Sequence, residues 1–132
     1  VFASIFVLLY VAHLLADYPF QTDHQAALKD AKTASGRRAN FTHAITHVTI
    51  SAILLIVGAL LLDLDCSVPV SMAALVWIGA SHSFIDRRWP VELWMIKSLQ
   101  SEILKKGGAE HVDQTAHITA LAIAALVIAT LS

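Results

Sequence analysis

FTHAITHVTISAILLIVGALLL, running from Phe41 to Leu62, holds 22 residues without a Lys, Arg, Asp or Glu. As a helix rising about 1.5 Å per residue, it is long enough to cross a hydrocarbon core of about 30 Å. His43 and His47 stand near its start, four residues apart, so both imidazoles share one helix face. The rest of the chain repeats this arrangement, an apolar span with a polar pair four residues apart near one end.

Composition points the same way. Of the 132 residues, 57% are hydrophobic and 14% charged, and the mean hydropathy is +0.67; an average globular domain has about 25% charged residues. The length suits one domain, 1–132. The competing reading, an unusually apolar soluble helical protein, does not account for several separate long apolar runs. The single cysteine, Cys66, excludes an intramolecular disulfide and a thiolate metal cluster. No motif supports nucleic-acid binding. The apolar run beginning at Val1 has no basic segment before it, and is read as a span rather than a signal-peptide core.

From Val1 to about Tyr18 the chain forms the first expected span, with His13 and Asp17 at its end and Pro19 interrupting the helix. Phe20 to Asn40 is a polar connector with a short helix expected over Asp23 to Lys32, a break at Ser35-Gly36, and Asn40 or Thr42 capping the second span. Asp63, Asp65, Ser67 and Pro69 mark a turn before the third span, Val68 to about Ile85, which ends at His82 and Asp86. Trp89 to Lys106 is different: Leu93, Ile96, Leu99 and Ile103 recur at helical spacing between charged residues, as in one helix lying in the membrane interface. Gly107-Gly108 ends it, and Val112 to Leu131 is the last span, with Asp113 and His117 at its start. The expected fold is therefore all-α, an integral membrane four-helix bundle with an additional interfacial amphipathic helix.

All nine basic residues fall in the connector after the first span or between the third and fourth spans, whereas the opposite side offers only Asp63 and Asp65 between its spans. Positive residues in short loops concentrate on the cytoplasmic side, so both termini are expected outside. That orientation brings His13/Asp17, His43/His47, His82/Asp86 and Asp113/His117 to one depth near the cytoplasmic face. Eight buried ionisable groups without compensation would be costly. A divalent transition metal offsets that cost, two ions would need about this many ligands, and helical bundles present inward ligands at fixed spacing. The donors exclude a soft-metal site; zinc is the first choice, with manganese or iron also suited. Gln21, Thr22 and Gln114 each neighbour a pair and are candidates to orient a carboxylate ligand by hydrogen bonding. His24 and His111 are expected at the surface, and Asp23 in a solvated turn.

The segments HLLADYPFQTD from His13, NFTHAITH from Asn40, HSFID from His82 and DQTAH from Asp113 together resemble a family of small bacterial and phage inner-membrane proteins that carry a domain-of-unknown-function label. The resemblance covers nearly the whole chain. That family is more distantly similar to membrane-bound metal-dependent hydrolases. The resemblance implies that His43, His47, His82 and Asp86 are metal ligands, completed by His13, Asp17, Asp113 and His117.

The leading expectation is a metal-dependent hydrolase at the cytoplasmic leaflet of a bacterial inner membrane, with Asp17, Asp86 and Asp113 as catalytic carboxylates. Arg37, Arg38, Arg87 and Arg88 could hold an anionic headgroup, which makes a lipid or polyprenyl phosphoester the first substrate class to consider; topology and contact with anionic lipid account for them equally well. The alternatives are a divalent metal or proton transporter, and a structural or regulatory membrane protein held together by its metal. Membrane lipids are the expected partners, and the sequence leaves the oligomeric state open.

Overall fold

A computed structural model describes residues 1–132, which are all helix and connecting turns without a strand. The helices are α1 (Phe2–Asp17), α2 (Asp23–Leu28), α3 (Ala34–Leu62), α4 (Val68–Ile85), α5 (Trp89–Lys97), α6 (Ser101–Lys105) and α7 (Ala109–Leu131). α3, α4 and α7 are long and apolar enough to cross a membrane; α1 is apolar but shorter, at 16 residues. Their outward faces are hydrophobic, with Leu60, Leu61 and Val76 among the most exposed side chains. A protein surrounded by water rarely leaves so much apolar surface uncovered.

Four helices pack in cyclic order, α1 on α3, α3 on α4, α4 on α7 and α7 back on α1. The half of this assembly that includes the α3–α4 turn is filled by Ile5, Leu9, Leu55, Ile78, Leu121 and Ile128. There the start of α4 is tied to the end of α7, since the Ser67 backbone N–H donates to Ser132 Oγ at 3.0 Å. Toward the other end of the four helices the buried side chains become polar: His13, Asn40, His43, His47, His82, Asp86 and His117.

Several boundaries differ from the sequence expectations. α3 begins at Ala34, not near Phe41, and Ser35-Gly36 lies in its first turn rather than at a break. Thr33 caps this helix by accepting from the Gly36 N–H at 3.0 Å. Glycine is required there by close approach: a Cβ at Gly36 would lie 2.2 Å from the Ala31 carbonyl oxygen. Asn40 and Thr42 therefore sit inside the helix. Asn40 instead joins α3 to α4, donating from Nδ2 to the Ser83 carbonyl at 3.1 Å and accepting from Ser83 Oγ. α2 stops at Leu28, short of Lys32, and α7 starts at Ala109, one turn earlier than expected.

The single helix expected over Trp89 to Lys106 is two. Leu99 takes a left-handed conformation (φ 62°) after α5, with the Gln100 N–H donating to the Met95 carbonyl and the Leu99 N–H to the Ile96 carbonyl. This is a Schellman ending built on leucine. α6 closes the same way on Gly107 (φ 84°). The buried side chains of α5 are Val91 and Met95, packed with Ile85 and Ala109. Leu93, Ile96, Leu99 and Ile103, the stripe that sequence periodicity picks out, are exposed.

Candidate metal centre

All eight side chains expected at the site converge. Asp17, one turn beyond His13 on α1, is the hub of one end: its Oδ1 lies 3.1 Å from His47 Nε2 and 3.2 Å from His43 Nε2, and its Oδ2 lies 3.1 Å from His13 Nε2. His43 and His47 approach each other at 3.3 Å between their Nε2 atoms. Asp86, at the end of α4, is the hub of the other. Its Oδ1 is 3.4 Å from His117 Nε2, and its Oδ2 is 3.2 Å from His82 Nε2 and 3.6 Å from His43 Nε2. Asp113 Oδ2 reaches His117 Nε2 at 3.5 Å, and its side chain is the most exposed of the carboxylates, at 25%.

Local helix geometry explains the convergence. Each pair is one turn apart on its own helix, so both members face the same way. α1 and α4 end where α3 and α7 begin their inward run, which brings the four pairs to one level. The donor atoms form three overlapping groups, each within 4.8 Å: Asp17, His43, His47 and His82; His13, His82 and His117; and Asp86, Asp113 and His117. His82 and His117 belong to two groups each. The His47 and His82 rings lie 3.5 Å apart between centroids, and those of His82 and His117 4.2 Å.

These residues fit a metal ion. Ligands held about 2.0–2.2 Å from a tetrahedral ion stand roughly 3.3–3.6 Å from one another, close to the separations of 3.1, 3.2 and 3.3 Å among Asp17, His43 and His47. His82 Nε2 is buried without a well-aligned hydrogen bond and faces Asp86 Oδ2 at 3.2 Å, an oxygen that Lys29 Nζ also approaches at 3.2 Å. A buried imidazole nitrogen left without an aligned partner is costly, and coordination would satisfy it. The imidazole and carboxylate set suits a divalent transition ion.

Neighbours support the ligands unevenly. Gln21 Nε2 lies 2.8 Å from His43 Nε2, and Gln114 Oε1 lies 3.3 Å from His13 Nε2, so both amides touch histidines rather than the carboxylates expected. Thr22 does not reach the site; it caps α2 in a reciprocal pair with Gln25. His24, His111 and Asp23 are exposed. Lys29 was not legible in sequence spacing: its Nζ lies 3.2 Å from Asp86 Oδ2, reaching in from the end of α2. Among the arginines, Arg37 and Arg38 are exposed, and Arg88 pairs with Glu92 at 3.3 Å on the surface. Arg87 donates to the Lys29 and Ala31 carbonyls at 3.2 and 3.0 Å, fastening the α2–α3 connector to α4.

The Asp86 end is open. A cleft of about 270 Å³ leads to Asp86 and Asp113 between Lys29, Asp30, Arg88 and Glu110. Searches of curated proteins and of solved structures gave no match. A family model does match, and its span, residues 5–132, contains all eight converging side chains together with the helices that bring them together: the chain belongs to the family described as protein of unknown function (DUF3307).

Proposed function

We propose that this protein is a metal-dependent hydrolase of a bacterial inner membrane, distantly akin to the membrane-bound metal-dependent hydrolases, that acts on a lipid or polyprenyl phosphoester at the cytoplasmic leaflet. In this reading α1, α3, α4 and α7 form a membrane-embedded four-helix bundle, both termini lie outside, and α5 and α6 rest in the interface. The one-sided placement of all nine basic residues supports that orientation. The exposed Leu93, Ile96, Leu99 and Ile103 support an interfacial α5 and α6, since a lipid interface would cover them.

The observation that carries the reading is a buried His/Asp cluster with one end reached by a cleft. The eight donors suit two ions, zinc by preference, with Asp17, His43, His47 and His82 at the buried end, Asp86, Asp113 and His117 at the open one, and His13 grouped with His82 and His117 between them. Bound there, a divalent ion supplies Lewis-acid polarisation of a phosphoryl oxygen and activation of water. The protein's own groups do the rest. Asp17 and Asp86 hold the imidazoles in register, while Asp113, half-buried at the cleft, is positioned to accept a proton from water beside the substrate. Lys29 and Arg88 line the same cleft and would draw an anionic headgroup toward it.

A divalent metal or proton transporter has less support. The opposite half of the bundle has buried hydroxyls at Ser51 and Ser71 but is otherwise packed with Ile, Leu and Ala, with no carboxylate or imidazole to continue a path. The test is turnover by zinc-loaded protein in lipid, against phosphatidate and polyprenyl phosphoesters, for wild type and Asp113→Asn. Wild-type turnover, with a loss of at least roughly hundredfold in the variant while the ion at the buried end is retained, supports the assignment. Metal bound at full stoichiometry without turnover gives the site to the structural reading.

A further inference from the structure

Beside the polar cleft lies a second depression, about 490 Å³, on the outward side of α4, α5 and α7. Trp77, Phe84, Pro90, Trp94, Val112 and Ile123 are among its walls. Ser81, Thr115 and Thr119 also line it, yet their hydroxyls donate back to carbonyls of their own helices, to Trp77, His111 and Thr115 at 2.7, 2.7 and 2.8 Å. Trp77 Nε1 likewise donates to the Ala120 carbonyl at 3.0 Å. The polar atoms of these side chains are thus spent within the fold, and the surface left for an occupant is hydrocarbon. Its volume lies within the roughly 300–1,000 Å³ of small-ligand sites.

The groove and the cleft are neighbours, with Val91 in the wall of each. Val91 itself is buried, held by Ile85, Met95 and Ala109. One valine therefore separates a site lined by carbon from one lined by Lys29, Arg88 and the carboxylates of the metal centre. That juxtaposition matches an amphipathic molecule whose charged end and chain diverge at one point.

We infer that the α4–α5–α7 groove is the chain-binding half of the substrate site, taking one hydrocarbon chain of a membrane lipid phosphate while its phosphate occupies the cleft on the other side of Val91. This rests on the hydrolase reading and deepens it, by making the substrate a lipid recognised through its chain. A water-soluble phosphoester would leave the groove unused. Trp94, 64% exposed at the groove edge, suits the interfacial depth at which headgroup and chain meet.

The experiment is photolabelling of the full chain in phosphatidylcholine nanodiscs with phosphatidate bearing a diazirine on one acyl chain, on protein both stripped of metal and loaded with zinc. Labelled peptides should concentrate in residues 77–85 and 115–123. Unlabelled phosphatidate should compete, and diacylglycerol with the same chains should not. Thr119→Trp fills the groove from an exposed position and should cut labelling there by roughly tenfold. Thr130→Trp, also exposed but near the opposite end of α7, should leave it unchanged. Labelling spread evenly over the lipid-facing helices, competition by diacylglycerol, or indifference to Thr119→Trp would overturn the inference. Because labelling needs no turnover, a protein that labels in the groove but hydrolyses nothing loses only the hydrolase reading. One that hydrolyses phosphoesters but labels indiscriminately loses only this inference.

Discussion

Replacing His47 by Ala tests the metal centre where it is most enclosed. His47 is 1% exposed, and its Nε2 lies 3.1 Å from Asp17 Oδ1 and 3.3 Å from His43 Nε2. It is one of four donors in the group formed with Asp17, His43 and His82. Four-ligand zinc sites bind with about 10–16 kcal/mol, so one ligand in four corresponds to about 2.5–4 kcal/mol, roughly a hundredfold or more in affinity. At a zinc concentration about 1,000 times the wild-type Kd, the stabilisation from binding is about 4.1 kcal/mol; with a hundredfold weaker site it falls to about 1.4 kcal/mol. The measurement is thermal unfolding in detergent with and without zinc, together with elemental analysis of the purified proteins. Wild type should bind metal stoichiometrically and unfold at a higher temperature when loaded, and His47→Ala should lose about a third of that increment, which is more than half of the share that the buried-end ion supplies. Wild-type protein that binds no metal under replete conditions, or a variant that keeps the full increment, would refute the reasoning.

Three further outcomes follow. Native Cys66, in the turn between α3 and α4, should react with a membrane-impermeant maleimide from outside, whereas Lys32→Cys in a Cys66→Ser background should require permeabilisation; reaction from the same side would overturn the orientation. Burial, with the neighbouring Asp65 carboxylate, pushes the Cys66 thiol up, so less thiolate is present at a given pH and labelling near pH 8 should be slower than for free cysteine, rising as the solution is made more alkaline. Arg87→Met removes two charge-assisted bonds to the Lys29 and Ala31 carbonyls; at about 1.5–3 kcal/mol per bond to a charged group, hydrogen exchange over residues 29–33 should quicken by roughly tenfold or more. Unchanged exchange would show that the connector is held by other contacts.

The sequence by itself determined the helical character, the apolar spans and the identity of the clustered donors. These properties are local: the length of an uncharged run, and a spacing of four that aligns two side chains on one helix face. Even the common level of the four pairs could be read, since alternating spans return each pair to the same side. Tertiary structure decided which donors share a centre. Asp17 gathers histidines from α1 and α3, and His82 and His117 each belong to two groups, because helix neighbours and rotations depend on packing between segments distant in the chain. The same holds for Lys29, whose reach to Asp86 depends on where Arg87 fastens the connector. Helix boundaries were the least legible feature. Gly36 reads as a breaker but sits in the first turn of α3 against the Ala31 carbonyl, and Leu99 reads as part of the apolar stripe of one interfacial helix but takes the left-handed position that ends α5. In both places a backbone contact outweighed intrinsic propensity.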